Sequence, residues 1–184
     1  LDVGLYAAHL IDPQGVFDID FPTLIGAVTQ GGPLNLPNSH RYFSLTGGSV
    51  AIPWGSTLIK GELTAYYNRA TNLGDIEQIN TLEIQEVNTL NGMLSLTYSG
   101  LQDTTLSLEY QQGLGEDLNY IIPPNISILA ARASTLLYRE RLSLNLLASI
   151  IDGGDRGGLL RFDTQYRLLD SLKFQLGYIH YISG

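Results

Sequence analysis

The feature that most constrains the fold of this chain is a two-residue alternation of apolar and polar side chains in several short segments. In residues 57–68 the apolar or small side chains fall on one face, while Lys60, Glu62 and Thr64 fall on the other. Successive side chains of a β-strand point to opposite faces, so this period predicts strands with one apolar and one polar face. Residues 105–112 and 159–168 repeat the pattern. We therefore predict an all-β chain.

The connections between the predicted strands alternate in length. Short turns are expected at residues 54–56, 101–104, 136–140 and 169–171, and long loops at residues 12–40, 69–86, 113–125 and 152–158. Along about nine strands, this places every short turn at one edge and every long loop at the other, as in outer-membrane barrels. A further strand near residues 76–87 would break the alternation. That segment is therefore assigned to a long loop, or to strand that extends past the membrane.

Composition restricts the class of protein. Hydrophobic residues make up 44% of the chain and charged residues 15%, below the roughly 25% charged residues that are typical of soluble domains. No stretch approaches the ~20 apolar residues that a transmembrane helix needs. The net charge of −8 argues against a nucleic-acid partner. We predict one segment, residues 1–184, of an antiparallel up-and-down transmembrane β-barrel in a bacterial outer membrane.

Aromatic residues are expected to mark the two membrane interfaces, where an apolar ring and a polar tip are both accommodated. Trp54, Tyr98 and Tyr166 fall at or near short turns, and Tyr67, Tyr110 and Tyr178 fall near long loops. The alternative is that strands favour tyrosine in general.

The strand count suggests that the barrel is larger than this chain. Nine is an odd number, whereas bacterial single-chain barrels close with an even number of strands. Unpaired backbone groups in lipid cost several kcal/mol each. The expected partners are therefore outer-membrane lipid and either further strands of the same barrel or partner chains, with any signal peptide outside the segment.

Four stretches carry a family resemblance. They read DVGLYAAHLID, HRYFSLTGGSVAIPWGSTLIKGELTAYYN, LTYSGLQDTTLSLEYQQG and LLRFDTQYRLLDSLKFQLGYIHYISG. Together they resemble the later half of the bacterial outer-membrane family called domain of unknown function thirteen-hundred-two. The resemblance implies a longer proteobacterial outer-membrane barrel that is linked to uptake or export of hydrophobic or aromatic compounds.

Catalytic and metal-binding motifs are weak. His9, His40 and His180 lie far apart in sequence, and no close metal-ligand spacing or GxSxG motif is present. Residues 152–158 could present carboxylates to calcium, but a flexible loop is the simpler interpretation. Asp18 and Asp20 alternate with aromatic and aliphatic residues, which suits a short strand or a plug that folds inward. We expect no enzyme activity, cofactor or metal.

The polar faces of the strands are the best functional candidates. Eight charged side chains are predicted to line a lumen: Lys60, Glu62, Glu109, Arg132, Arg161, Asp163, Arg167 and Lys173. Charged side chains around a pore set its selectivity. Because the eight residues include both positive and negative charges, we expect an electric field directed across the lumen. The alternative is a salt-bridged lumen filling that does not conduct.

Three functions remain open from the sequence. The first is a porin-like channel or transporter wall for small solutes, hydrophobic ones among them, with the loop at residues 12–40 as gate or filter. The second is a structural or assembly barrel that binds partner proteins through its loops or lumen. The third is a soluble β-barrel that binds a small hydrophobic ligand, with the two faces inverted.

Overall fold

A computed structural model describes residues 1–17, 25–26, 29, 31, 38–75, 78–116, 118, 124–169 and 171–184, and omits the side chains of residues 75 and 78–82. Asp18 and Asp20 thus lie outside the described residues. Nine strands form one antiparallel sheet. The prediction of an antiparallel all-β chain with about nine strands is confirmed. Within the described residues the sheet is open and does not close into a barrel.

The strands have the following bounds, and those of the nine-stranded sheet are given in their order from one edge of the sheet to the other. The nine-stranded sheet contains β1 (Asp2–Ile11), β4 (Tyr42–Trp54), β5 (Thr57–Asp75), β6 (Gln78–Leu101), β7 (Thr104–Gly115), β8 (Ser127–Leu137), β9 (Leu142–Ile151), β10 (Gly158–Leu169) and β11 (Leu172–Ile182). Two short strands, β2 (Val16–Phe17) and β3 (Asn38–Ser39), pair with each other, and Asp152–Gly154 forms one 3₁₀ turn. The described residues include no helix that is long and apolar enough to span a membrane.

The four turns β4–β5, β6–β7, β8–β9 and β10–β11 share one edge, here called the short-turn edge, opposite the long-loop edge. Of the two interpretations of residues 69–86, the long loop is wrong, and the extended strand is correct over the described residues. β5 and β6 continue as a paired hairpin to Asp75 and Gln78, beyond the last pairings of β5 with β4 and of β6 with β7. Polar residues on both sides of this hairpin hide the alternation that identified the other strands.

The strands are staggered along the sheet. One register row runs from Trp54, the last residue of β4, through Tyr98 and Ala133 to Phe162. β6 ends three residues beyond this row, β8 four and β10 seven. The short-turn edge therefore shifts by about one residue per strand. With a rise of ~3.3 Å per residue and a spacing of ~4.8 Å between strands, this shift corresponds to strands tilted by roughly 37°. Strands in closed barrels are tilted by about 35–45°.

One face of the nine-stranded region, here called the apolar face, is apolar from edge to edge. Its row Leu94, Tyr110, Leu129 and Ile150 illustrates how paired registers bring like side chains together. Outside the protruding hairpin, no paired residue on this face is Asp, Glu, Lys or Arg. These side chains are exposed; Leu94, for example, is 59% accessible. The strand spacing gives the face an extent of roughly 38 by 30 Å.

The chain has little hydrophobic core. Among the described residues, the buried hydrophobic side chains are those of Val16, Phe43, Ala70, Leu73 and Val87, all near the long-loop edge. The largest apolar patch of a soluble monomer is about 300–600 Å². A covering layer, either lipid or protein, is therefore required over the apolar face.

Tyr6 anchors the edge strand β1 to the sheet. Its side chain crosses β4 at Gly47, and its hydroxyl donates a hydrogen bond to Glu62 Oε1 at 2.6 Å and contacts Thr64 Oγ1. A Cβ at position 47 would lie 2.5 Å from Tyr6 Cζ, so only glycine leaves room for this crossing. The edge strand is therefore held by side chains as well as by its ladder with β4.

We expect Gly47→Ala to displace Tyr6 and to destabilise the folded protein by about 1–3 kcal/mol, because overpacking and the loss of the hydrogen bonds of the Tyr6 hydroxyl both contribute. Urea titration measures this change. Gly61→Ala is the matched control, since a Cβ there would lie at an ordinary 3.5 Å from Val50 Cγ1. Equal destabilisation by both variants would contradict the role of Tyr6.

Candidate functional site

The face opposite the apolar one, here called the polar face, carries all eight predicted lumen-lining residues. Lys60 pairs with Ser95, which pairs in turn with Glu109. Arg132 pairs with Ser107 and Leu147, and Leu147 pairs with Arg161. The eight residues are distributed over β5, β7, β8, β10 and β11: Lys60, Glu62, Glu109, Arg132, Arg161, Asp163, Arg167 and Lys173. The structure thus brings residues that are distant in sequence onto one surface.

Four of these charges lie at a similar distance from the short-turn edge. Glu62 and Glu109 are five residues from the starts of β5 and β7, and Arg132 and Asp163 are five and six residues from the ends of β8 and β10. Five residues of strand correspond to roughly 16 Å. Because the stagger shifts each strand with its turn, these charges form a band near mid-height.

Part of the charge band is neutralised locally. The Arg161 guanidinium donates two hydrogen bonds to the Asp163 carboxylate, from Nε to Oδ2 at 2.6 Å and from a terminal nitrogen to Oδ1 at 3.1 Å. Gln111 Nε2 donates to Glu109 Oε1 at 3.0 Å. These contacts run between alternate residues of one strand, so they orient the side chains along the polar face.

All six predicted interface aromatics lie on the apolar face. Trp54 and Tyr98 share a register row with Thr57 at the short-turn edge, and Tyr166 pairs with Phe174 near the last turn. The other three are nearer the long-loop edge: Tyr67, Tyr110 and Tyr178. Their depth in a membrane stays a prediction.

The start of the first long loop folds over the polar face. Asp12 is buried and accepts a hydrogen bond from Arg69 Nε at 2.7 Å. A terminal nitrogen of Arg69 donates to Gln14 Oε1 at 3.0 Å, and its guanidinium lies near the rings of Phe43 and Tyr66. Arg69 therefore fixes the loop to the wall, and we call this contact the loop latch.

The loop is held at a second point. The backbone N–H of Phe17 donates to Asn72 Oδ1 at 3.0 Å, and Asn72 Nδ2 donates to the Phe17 carbonyl at 2.8 Å. Together with the loop latch, this pair places β2 against the protruding hairpin. The loop is therefore an ordered part of the polar face over residues 12–17.

A cavity of about 520 Å³ lies between this loop and the sheet. Its polar walls include Asp12, Arg69, Thr71 and Asn91, and Pro124 from the loop after β7 contributes to the same space. The cavity is large enough for a small organic solute.

The state of Asp12 depends on its neighbours. Burial acts to raise the pKa of the Asp12 carboxyl, but hydrogen bonds from Arg69 and the Gln14 N–H, with the charges of Arg69 and His40, hold that pKa below its ordinary value. The carboxylate is therefore ionised at neutral pH, and the latch is an ion pair.

The predicted loop at residues 152–158 stabilises the structure through Asp152. Asp152, in the loop at residues 152–158, accepts hydrogen bonds from the Ser127 N–H at 2.7 Å and the Ser127 hydroxyl, and pairs with Arg156 at 2.9 Å. The hydrogen bonds from Ser127 and the Arg156 charge hold the pKa of Asp152 below its ordinary range, although its partial burial opposes them. Its oxygens are thus engaged by the protein itself.

The three histidines are dispersed. His9 stacks on Tyr42, His180 stacks on Tyr178, and His40 Nδ1 lies 2.8 Å from the Asp12 carbonyl oxygen. Within the described part of the chain, no group of three metal-binding side chains comes together.

Sequence reasoning missed Tyr6, Asp12 and Arg69. Arg69 and Asp12 lie 57 positions apart, and neither belongs to an alternating segment. Only the charge of Arg69, two residues after the aromatic pair Tyr66 and Tyr67, could have marked it. Tyr6 sits on the least regular predicted strand.

We expect the loop latch to be stable at neutral pH and to weaken in acid. Asp12 has a lowered pKa when folded, so its stabilising effect is present above about pH 4, the unfolded value, and is lost as the pH falls through the folded pKa. Hydrogen exchange of the amides in residues 12–17, corrected for intrinsic pH dependence, should accelerate in that acid range. Arg69→Met should exchange fast at every pH, and Arg156→Met should behave as the wild type. A pH-dependent Arg69→Met variant would contradict the assignment.

No family model, curated protein or solved structure matches this chain. The resemblance to the outer-membrane family therefore stays a prediction.

Proposed function

We propose that this sheet is part of the wall of a transmembrane β-barrel in a bacterial outer membrane, through which small solutes pass. The apolar face contacts lipid and the polar face lines the lumen. The observation that carries the proposal is the division of charge: the paired residues of the apolar face outside the hairpin include no Asp, Glu, Lys or Arg, whereas the opposite face carries Asp2 and all eight lumen-lining candidates.

Lipid is the covering layer that fits the size of the apolar face. Transfer of apolar surface out of water contributes about 25 cal/mol per Å², or roughly 25 kcal/mol for each 1,000 Å². The paired strands of the sheet are ten or more residues long, and about 9–11 residues span a bilayer. The length of the strands and the apolar character of this face therefore both fit a bilayer.

The edges of the sheet require partners in this environment. Among the described strands, β1 and β11 each have one side without a neighbour. In lipid, unpaired N–H and C=O groups cost several kcal/mol each, so a spanning sheet must close. Further strands of the same protein, or partner chains, complete the barrel in our proposal, and the stagger of the nine strands matches the tilt that closure needs.

Passage requires no chemistry on the solute. The charge band on β5 to β10 supplies the field that discriminates between solutes. The loop at residues 12–17, fixed by Arg69, narrows the polar side at the long-loop edge and leaves the 520 Å³ cavity as the path or binding space.

The test is reconstitution of the protein in planar bilayers, with ion conductance and solute uptake as measurements. We expect detergent to be needed for a monodisperse protein and stepwise conductance after insertion. A monodisperse protein without detergent would overturn the proposal in favour of a soluble ligand-binding barrel. A membrane-inserted protein that never conducts and copurifies with a stoichiometric partner would favour an assembly barrel.

Two adjacent residues of β7 provide matched variants for the same experiment. Leu108 lies on the apolar face, 50% exposed, and Glu109 on the polar face. Leu108→Arg should destabilise the inserted protein by about 2–4 kcal/mol, since it brings a charge into lipid near mid-height. Glu109→Arg should insert normally and shift ion selectivity. Equal damage from both would contradict the face assignment.

A further inference from the structure

Three cations lie side by side on the polar face at the short-turn edge. Arg167 of β10 pairs directly with Lys173 of β11. On its other side, the Arg167 N–H donates to the Arg141 carbonyl at 2.7 Å, and Arg141 lies two residues before Ser143, which is on the polar face. Arg141, in the turn just before β9, therefore lies in register with Arg167 and Lys173, and these three residues are here called the cationic row.

This arrangement is unfavourable within the chain alone. Like charges directly opposite each other in a sheet are destabilising. Within the described residues, no carboxylate oxygen lies within 4.0 Å of a charged nitrogen of these three side chains. Asp170, in the turn between β10 and β11, is outside the described residues.

The row contrasts with three of the seven other cations of the chain. Arg69, Arg156 and Arg161 each bind an aspartate within 3 Å. The polar face is also divided along the sheet: Glu62 and Glu109 lie on β5 and β7, while Arg132 and the cationic row lie on β8 to β11. One side of the polar face therefore has an excess of positive charge that extends from the edge toward mid-height.

Anions with planar or tetrahedral oxygen groups fit such a row. Guanidinium groups donate two parallel hydrogen bonds to a carboxylate or phosphate, and an ammonium adds a compact charge. Two guanidinium groups and one ammonium, about 5 Å apart from strand to strand, can share one such group. A neutral solute would leave the mutual repulsion in place.

We propose that the cationic row binds the carboxylate or phosphate group of small anionic solutes and makes the lumen anion-selective. This inference rests on the proposed channel function and names its substrate class. Arg132 extends the favourable potential inward, and the acidic side at β5 and β7 keeps the anion on the β8 to β11 wall.

The experiment combines selectivity with a binding measurement that needs no conduction. Zero-current potentials in a KCl gradient give the permeability ratio of chloride to potassium, and phosphorus NMR follows broadening of inorganic phosphate by the protein in detergent micelles. Arg167→Gln should lower the permeability ratio roughly sevenfold, because one charge at about 7 Å in water changes the permeation of chloride and that of potassium by about 2.7-fold each, in opposite directions. The triple variant R141Q/R167Q/K173Q should lower it at least tenfold and abolish phosphate broadening.

Two controls separate charge from structure. Arg167→Lys keeps the charge and should retain anion selectivity. Arg156→Gln removes an ion-paired cation at the opposite edge and should change neither measurement.

The outcomes distinguish this inference from the channel itself. Conductance without anion preference and without phosphate broadening overturns the anion site, as expected if Asp170 neutralises the row, and leaves the channel standing. Phosphate broadening that the triple variant loses, in a protein that does not conduct, supports the anion site and overturns the channel.

Discussion

Cross-strand pairing places both members of every residue pair on the same face of the sheet, and the rest of this structure depends on that constraint. Each strand alternates with a period of two, so a slip of one residue between neighbours would move apolar side chains to the polar face. From β1 to β11, the registers pair apolar-face residues with one another and polar-face residues with one another. Leu94, Tyr110 and Leu129 therefore meet on one side, while Ser95 and Glu109 meet on the other.

This constraint explains why the chain has so small a core. In a soluble domain the apolar side chains of a sheet are covered by a second layer of the same chain. Here the described covering consists of residues 12–17 and neighbouring loop residues at the long-loop edge, and it lies over the polar face. The apolar face and the two strand edges are left for the environment, and in the proposed barrel lipid covers the face while further strands pair with the edges.

Much of the fold followed from local pattern, and the parts that did not have physical reasons. The strands at residues 57–68, 105–112 and 159–168 were predicted because one face is apolar and the other polar. The same alternation placed all eight charged candidates on one face. The hairpin beyond Tyr67 was missed because both of its sides are polar, so no period distinguishes it from a loop. The latch between Asp12 and Arg69 joins two irregular segments, and no local pattern specifies such a pair.

The central claim is that alternate residues of one strand face lipid and water. The chain contains no cysteine, so single cysteines along β7 can carry a spin label without background. Accessibility to oxygen, which partitions into lipid, and to a water-soluble nickel complex should alternate with a period of two. We expect oxygen maxima at Leu106, Leu108 and Tyr110, and nickel maxima at Ser107, Glu109 and Gln111. Low accessibility of the first three positions to both reagents would show a protein-packed core and contradict the account.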